Sequence, residues 1–252
     1  MVIIGITGAI GHGKTTLAVA FVDCESSSIH LEIGDLVCEV ANKLNEHLTV
    51  LPTKNDYQSI NNWLRFLPDI LQKFTHTECT LNDLALKGAP NDSDISVHNN
   101  LFEYLDKLQI NPELSKIKIT ASNKENYRDF LQWLGGYLII KINPGIWSTE
   151  IIHRLNDSDK MLGVVGGIRY PFDAQTIRNA GGVIVQIQRN GSTEQDLADA
   201  TESQRRLIEP DTVVDNNSSI ADLKLAAKII LADIKAGNLA KKYDCKRINL
   251  NK

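Results

Sequence analysis

The sequence predicts an α/β fold in which helices cover both faces of a parallel sheet. Three observations support this prediction: short apolar runs typical of buried strands recur along the chain, helical patterns separate most of them, and a glycine-rich segment joins the first run to the first helix. In such folds ligands bind at the carboxyl ends of the strands. We therefore expect the functional residues at that edge of the sheet.

The predicted elements follow one another along the chain. Apolar runs predict strands at residues 2–7, 29–33, 161–165, 183–188 and, more weakly, 212–214. Apolar residues at helical spacing predict helices at residues 17–22, 36–44, 147–155, 174–179 and 220–234. Strands and helices therefore alternate, apart from one long interruption.

The interruption lies between the second and third predicted strands. A helical stripe covers residues 57–74, a turn-rich segment covers 87–92, and another helix is predicted at 98–108. We interpret residues 45–126 as a mainly helical insertion. A segment at this edge of a sheet either lines the ligand crevice or serves as an interaction or structural element.

The remaining residues form the predicted core and a tail. Residues 1–44 and 127–240 are interpreted as one α/β domain, and the polar, basic residues 241–252 as a loosely held tail.

Composition argues against several classes of partner. The 252 residues carry a formal net charge of −4, so we expect neither specific nucleic-acid binding nor attraction to an anionic membrane. No segment approaches the roughly 20 apolar residues of a membrane span. The four cysteines lack C-x-x-C spacing, which predicts reduced thiols in a cytoplasmic protein. No basic segment precedes the first strand, so we do not expect secretion. The sequence leaves open whether the chain forms a homodimer.

The segment after the first strand matches G-x-x-x-x-G-K-[ST], the phosphate-binding P-loop. Its residues are Gly8, Ala9, Ile10, Gly11, His12, Gly13, Lys14 and Thr15, and Thr16 follows in the helix. Glycines let backbone N–H groups turn toward a phosphate, and the helix presents the positive end of its dipole. Lys14 would reach the β- and γ-phosphates, and the Thr15 hydroxyl would bind Mg²⁺. The motif predicts a P-loop NTPase fold and a nucleoside triphosphate ligand.

Later segments add a recognisable order of motifs. Arg128 opens R-D-F-L-Q-W-L-G, and N-P-G-I-W follows at residues 143–147. The segment G-G-I-R-Y-P-F-D at 166–173 contains Arg169, and G-G-V-I-V at 181–185 leads to Arg189. The last segment reads D-T-V-V-D-N and covers residues 211–216.

With the P-loop, this order resembles the phage-type deoxynucleoside monophosphate kinases, relatives of the adenylate-kinase and dephospho-CoA-kinase branch of P-loop kinases. The resemblance covers about residues 1–40 and 120–235. It implies transfer of the γ-phosphoryl of Mg·ATP to a nucleoside monophosphate, in particular a deoxynucleotide. It also implies that Arg128 and Arg169 bind the acceptor phosphate, since a guanidinium group binds phosphate oxygens in pairs. The alternative for these arginines is a surface ion pair.

One position departs from the family pattern. The family's strand would end in D-V-R-F-P-x-E, but Gly167 stands at the position of the aspartate. A glycine can neither accept a hydrogen bond from magnesium-bound water nor orient an arginine. By pattern, the nearest replacements are Asp173 and Asp35. Asp35 would position the acceptor or the waters of Mg²⁺, or it would cap a helix beginning at Leu36.

Arg189 precedes a segment at residues 190–193 that contains a glycine, and Arg205 and Arg206 follow on the next helix. These residues indicate a lid that closes over the nucleotide and excludes water, with Arg189 binding the nucleotide. A solvated helix face would explain Arg205 and Arg206 equally well.

Three alternative functions stay open. The chain could be a nucleotide-binding regulator or inactive kinase relative, which Gly167 would explain, or a kinase of another phosphorylated acceptor of the dephospho-CoA or phosphomevalonate type. A GTP switch is the weakest alternative. N-K-E-N at residues 123–126 is similar to the guanine-reading N-K-x-D, but Asn126 cannot accept guanine N–H groups as a carboxylate does.

Overall fold

The computed structural model describes residues 1–54, 56–86, 92–190, 200–239 and 242–244. The chain forms two compact units. One comprises Met1–Ile33 and Ile151–Lys252, and the other is Gly34–Glu150. The predicted insertion, residues 45–126, lies within the second unit, which also includes helices on either side of it.

The described elements follow the predicted alternation. The strands are β1 (Val2–Thr7), β2 (Ser28–Glu32), β3 (Leu162–Gly166), β4 (Val183–Gln188), β5 (Thr212–Asp215) and β6 (Lys242–Asp244). The α-helices are α1 (Lys14–Val22), α2 (Ile33–Glu46), α3 (Tyr57–Leu64), α4 (Leu67–Thr75), α5 (Leu81–Leu84), α6 (Asp92–Ile110), α7 (Arg128–Lys141), α8 (Ile146–Asn156), α9 (Pro171–Asn179), α10 (Ala200–Arg205) and α11 (Ile220–Lys235).

The first unit contains a six-stranded sheet in the order β2-β3-β1-β4-β5-β6. Every neighbouring pair of strands is parallel, which confirms the predicted α/β fold. The order is consistent with a P-loop kinase. Strand β6 was not predicted, because its polar residues were assigned to the tail. Lys242–Asp244 nevertheless pairs with β5.

Helices cover both faces of this sheet. Ile4 and Ile6 of β1 belong to a buried cluster with Leu17 of α1 and Ile230 of α11. On the other face, Ile177 of α9 packs against Gly5. Strands buried on both faces read as continuous apolar runs, and this is why their positions could be predicted.

The second unit is helical and has an aromatic core. Tyr104 of α6 stacks on Phe130 of α7 with ring centroids 4.4 Å apart. Trp133 stacks on Tyr137 at 4.9 Å, and Trp63 of α3 lies beside Phe130. These rings hold α3, α6 and α7 together.

One predicted helix is divided. Residues 57–74 were predicted as a single helix, but α3 ends at Leu64 and α4 begins at Leu67. Pro68 lies in the first turn of α4, where its missing N–H costs nothing, whereas inside one long helix it would break the hydrogen-bond ladder. The proline therefore fixes the division.

Residues 116–120 form no strand, although polar and apolar residues alternate along them. The Asn42 side chain pairs with the Ile119 backbone instead, donating to its oxygen at 2.9 Å and accepting from its nitrogen at 2.7 Å. Asn123 accepts from the Thr120 nitrogen at 2.8 Å, so its side chain holds its own turn. This use of Asn123 gives no support to a guanine reader.

Candidate active site

The P-loop follows β1 and ends at the N-terminus of α1. Gly13, the N-cap of α1, has φ 98° and ψ 24°, a left-handed conformation that residues with side chains rarely adopt. A Cβ on Gly13 would also lie 2.6 Å from Asn216 Nδ2. Glycine is therefore required here for two reasons, its backbone conformation and the close approach of Asn216.

The N-terminus of α1 is suited to an anion. The first four N–H groups of any α-helix lack partners within the helix, and a glycine N-cap has no side chain to bind them. The first turn of α1 contains no acidic residue that would offset the positive end of the dipole. Thr15 is exposed in this turn, and its hydroxyl is a hard oxygen donor of the kind that Mg²⁺ accepts.

Lys14 lies against the same loop. Its Nζ donates to the backbone oxygens of Gly8 and Ala9, both at 2.8 Å. The side chain is half-buried, so the ammonium group is held close to the loop rather than extended into water. A phosphate in the loop would bind this cation more strongly than neutral carbonyl oxygens do.

Asn216, which follows β5, binds the backbone of the P-loop through its side chain. Its Nδ2 donates to the His12 oxygen at 2.9 Å, and its backbone nitrogen donates to the Gln188 oxygen at 2.7 Å. The residue therefore ties the loop to the end of β4. Asn216 ends the D-T-V-V-D-N segment, but its role could not be predicted, because a contact between residues 12 and 216 leaves no local signal in the sequence.

The ends of β1 and β3 lie at the switch point of the sheet. These strands are neighbours, but β1 leads to β2 on one side and β3 leads to β4 on the other. Such a switch point is where ligands bind in open α/β sheets. Thr7 Oγ1 donates to the Ile168 oxygen at 3.0 Å, which joins the start of the P-loop to the segment after β3. Arg169 follows directly and is half-buried.

Asp173, one of the two predicted replacements for the missing aspartate, is a buried helix cap. Its Oδ2 accepts from the backbone nitrogens of Arg169 and Tyr170 at 3.3 and 3.1 Å, and the residue is 2% exposed. The carboxylate caps α9, which gives this residue a structural role. The interpretation of Asp173 as a metal-site substitute stays a prediction.

Comparison with known proteins decides the family. The family model described as deoxynucleotide monophosphate kinase matches residues 69–228, which is more than half of the chain. The protein belongs to the deoxynucleotide monophosphate kinase family. A comparison with curated proteins gives no match. The family match confirms the resemblance but changes its extent, since it includes part of the predicted insertion, which the motifs had left unmatched.

The matched range contains Arg128, Arg169 and Arg189. The P-loop precedes this range, so its assignment in this kinase depends on its motif and its geometry. Arg189 is exposed directly after β4, at the same edge of the sheet as the P-loop. Its predicted contact with the nucleotide stays a prediction.

Two predicted site residues belong to the second unit of the kinase. Asp35 is exposed in the first turn of α2, and since α2 begins at Ile33, Asp35 is not its N-cap. Arg128 is the first residue of α7, and its Nη2 lies 2.6 Å from Glu125 Oε2 in an exposed ion pair. This is the surface pair named as the alternative, and it leaves the guanidinium accessible to a competing phosphate. The catalytic roles of both residues stay predictions.

The predicted lid at residues 190–193 lies mostly outside the described residues. Arg205 ends α10 and is half-buried, and Arg206 is exposed. Within the described parts of the kinase, none of the helices has the length and apolar character needed to cross a membrane.

Proposed function

We propose that this kinase transfers the γ-phosphoryl group of Mg·ATP to a nucleoside monophosphate, with deoxynucleotides as the preferred acceptors. One observation carries the proposal: the acid-free N-terminus of α1 and the Lys14 ammonium lie in one loop at the switch point of the sheet. Membership of the family supports the class of acceptor.

The chain's own residues would bind and orient the two substrates. Backbone N–H groups of the P-loop would hold the β-phosphate, and Lys14 would leave its carbonyl partners to neutralise charge on the γ-phosphoryl. The Thr15 hydroxyl would bind Mg²⁺, which when bound would neutralise the β- and γ-phosphate oxygens.

The acceptor brings a second anion into the crevice, and bringing two anions together requires further cations. Arg128 and Arg169 would bind the acceptor phosphate, because planar guanidinium groups bind two phosphate oxygens at once. Asp35 would position the acceptor or the waters of the metal. Arg189 would contact the nucleotide at the exposed end of β4.

The Cys38 and Cys79 thiols have no part in the proposed reaction. Burial raises the pKa of the Cys38 thiol, and likewise that of the Cys79 thiol, to about 11. Both thiols therefore stay protonated at neutral pH and are poor nucleophiles. We propose a cytoplasmic location from the cysteine spacing alone.

A nucleotide-binding regulator is the second candidate. Gly167, with φ 77°, provides no carboxylate at the end of β3, and this observation favours binding without turnover. The two candidates differ in one measurable property, which is acceptor-dependent production of ADP.

The test is ADP release from Mg·ATP with a panel of deoxy- and ribonucleoside monophosphates, dephospho-CoA and phosphomevalonate, beside a reaction without acceptor. We expect turnover that depends on a deoxynucleoside monophosphate. ATP binding without acceptor-dependent turnover would favour the regulator, and turnover with only the last two acceptors would contradict the proposed substrate class.

A further inference from the structure

The Glu32 carboxylate lies over the end of β3. Glu32 is the last residue of β2 and pairs in register with Gly166, the last residue of β3. A Cβ on Gly166 would overlap the Glu32 carboxylate, and a Cβ on Gly167 would lie 3.3 Å from Glu32 Oε2. The two glycines therefore leave open the space that this carboxylate occupies.

The carboxylate lies beside a histidine of the same strand. His30, two residues earlier and on the same face of β2, places its Nε2 3.0 Å from Glu32 Oε1. The Glu32 side chain is 28% exposed, so the carboxylate is partly buried but still accessible to solvent. The same contact leaves Oε2 as the oxygen directed toward Gly167.

The length of the side chain fits this arrangement. Neighbouring strands lie about 4.8 Å apart, so a side chain from β2 must reach across to the end of β3. Glutamate has one methylene more than aspartate and spans this gap. Because β3 also neighbours β1, the carboxylate lies one strand away from the start of the P-loop.

We infer that Glu32 supplies, from β2, the carboxylate that Gly167 omits from β3. Its function is to accept hydrogen bonds from the water shell of the Mg²⁺ that accompanies ATP. This inference rests on the proposed function and deepens it. It also removes the main reason to regard the chain as inactive, because the carboxylate is present at the same place but comes from the neighbouring strand.

A purely structural role for Glu32 would consist of its contact with His30. The two roles predict different results. A structural partner of His30 affects the stability of the fold, whereas a group that binds metal-bound water affects the affinity for the metal. Outer-shell groups of metal sites typically contribute about 10- to 100-fold in metal affinity or activity.

The experiment measures Mn²⁺ binding to the protein–ATP complex by electron paramagnetic resonance, using Mn²⁺ as the probe for Mg²⁺. The same proteins are assayed for turnover as a function of Mg²⁺ concentration. The variants are Glu32→Gln, Glu32→Ala, Gly167→Asp and the double variant Glu32→Ala/Gly167→Asp. Glu25→Gln, which changes a carboxylate at Lys235 elsewhere in the unit, is the matched control. Thermal melting confirms that each variant is folded.

We expect Glu32→Gln and Glu32→Ala to weaken Mn²⁺ binding by about 10-fold or more, with ATP binding in the absence of metal unchanged. The double variant should recover much of the lost Mn²⁺ affinity, because an aspartate at position 167 would return a carboxylate to this space. Aspartate tolerates the left-handed φ of residue 167 better than most residues do. Gly167→Asp alone should not strengthen Mn²⁺ binding, because two carboxylates would then occupy one space.

Wild-type Mn²⁺ affinity in Glu32→Gln would overturn the inference, and so would a folded double variant that binds as weakly as Glu32→Ala. Neither result would affect the proposed function, which acceptor-dependent turnover of the wild-type protein tests separately. Absence of that turnover would overturn the proposed function, while Mn²⁺ binding would still decide the role of Glu32.

Discussion

The contact between Gly13 and Asn216 makes a quantitative prediction about the P-loop. Asn216→Ala removes the 2.9 Å hydrogen bond to the His12 oxygen, and we expect a loss of about 1 kcal/mol in the free energy of unfolding. Gly13→Ala forces alanine into φ 98°, which costs about 1–2 kcal/mol. Its new Cβ also displaces the Asn216 amide, so the same hydrogen bond is lost, and the total becomes about 2–3 kcal/mol.

The two substitutions should therefore not be additive. In the double variant the backbone strain remains, but the hydrogen bond is lost only once and the overlap with the amide is gone. We expect the double variant to be as unstable as Gly13→Ala alone, with a coupling energy of about 1 kcal/mol. Urea unfolding of the four proteins measures this coupling. Additive effects would show that the Asn216 amide does not restrain the P-loop.

Three further predictions concern residues outside the loop. Asp173→Ala removes the buried cap of α9 and should lower stability by about 1–2 kcal/mol, measured by thermal melting, with the Mg²⁺ dependence of turnover unchanged. A shift in that dependence would show that Asp173 acts at the metal site as well as in the cap. Arg128→Ala should raise the KM for the acceptor and leave the KM for ATP alone, whereas Glu125→Ala, which removes only an exposed ion pair, should change neither; an equal effect on both substrates would contradict the acceptor role. Since burial raises the pKa of the Cys38 thiol to about 11, its alkylation by iodoacetamide should be slow at pH 8 and accelerate as the pH approaches that value, while rapid alkylation of the folded protein at pH 8 would show that the thiol is not shielded.

Elements that depend on local patterns could be predicted from the sequence. Strands β1 and β4 match their predicted bounds, because strands buried on both faces need continuous apolar residues. The P-loop could also be predicted from the sequence, since its glycines, its lysine and its threonine lie close together in the chain. The family match confirms the function class that these motifs indicated.

Features that depend on neighbouring strands could not be predicted. Glu32 and Gly166 are far apart in the chain and meet only because β2 and β3 pair, and sequence alone does not give the order of strands in a sheet. The contact of Asn216 with His12 is hidden for the same reason. Residues 116–120 alternate in polarity as a strand would, but the side chain of Asn42 pairs with the Ile119 backbone in place of a neighbouring strand.

The most direct test of the account is the kcat/KM for ADP production by Lys14→Ala with the best deoxynucleoside monophosphate. Lys224→Ala, which removes an exposed lysine paired with Asp23, serves as the control. We expect a loss of about 10²- to 10³-fold for Lys14→Ala, as for removal of one preorganised group that stabilises transition-state charge, and wild-type activity for the control. Full turnover by Lys14→Ala would contradict the assignment of the P-loop as the site of phosphoryl transfer.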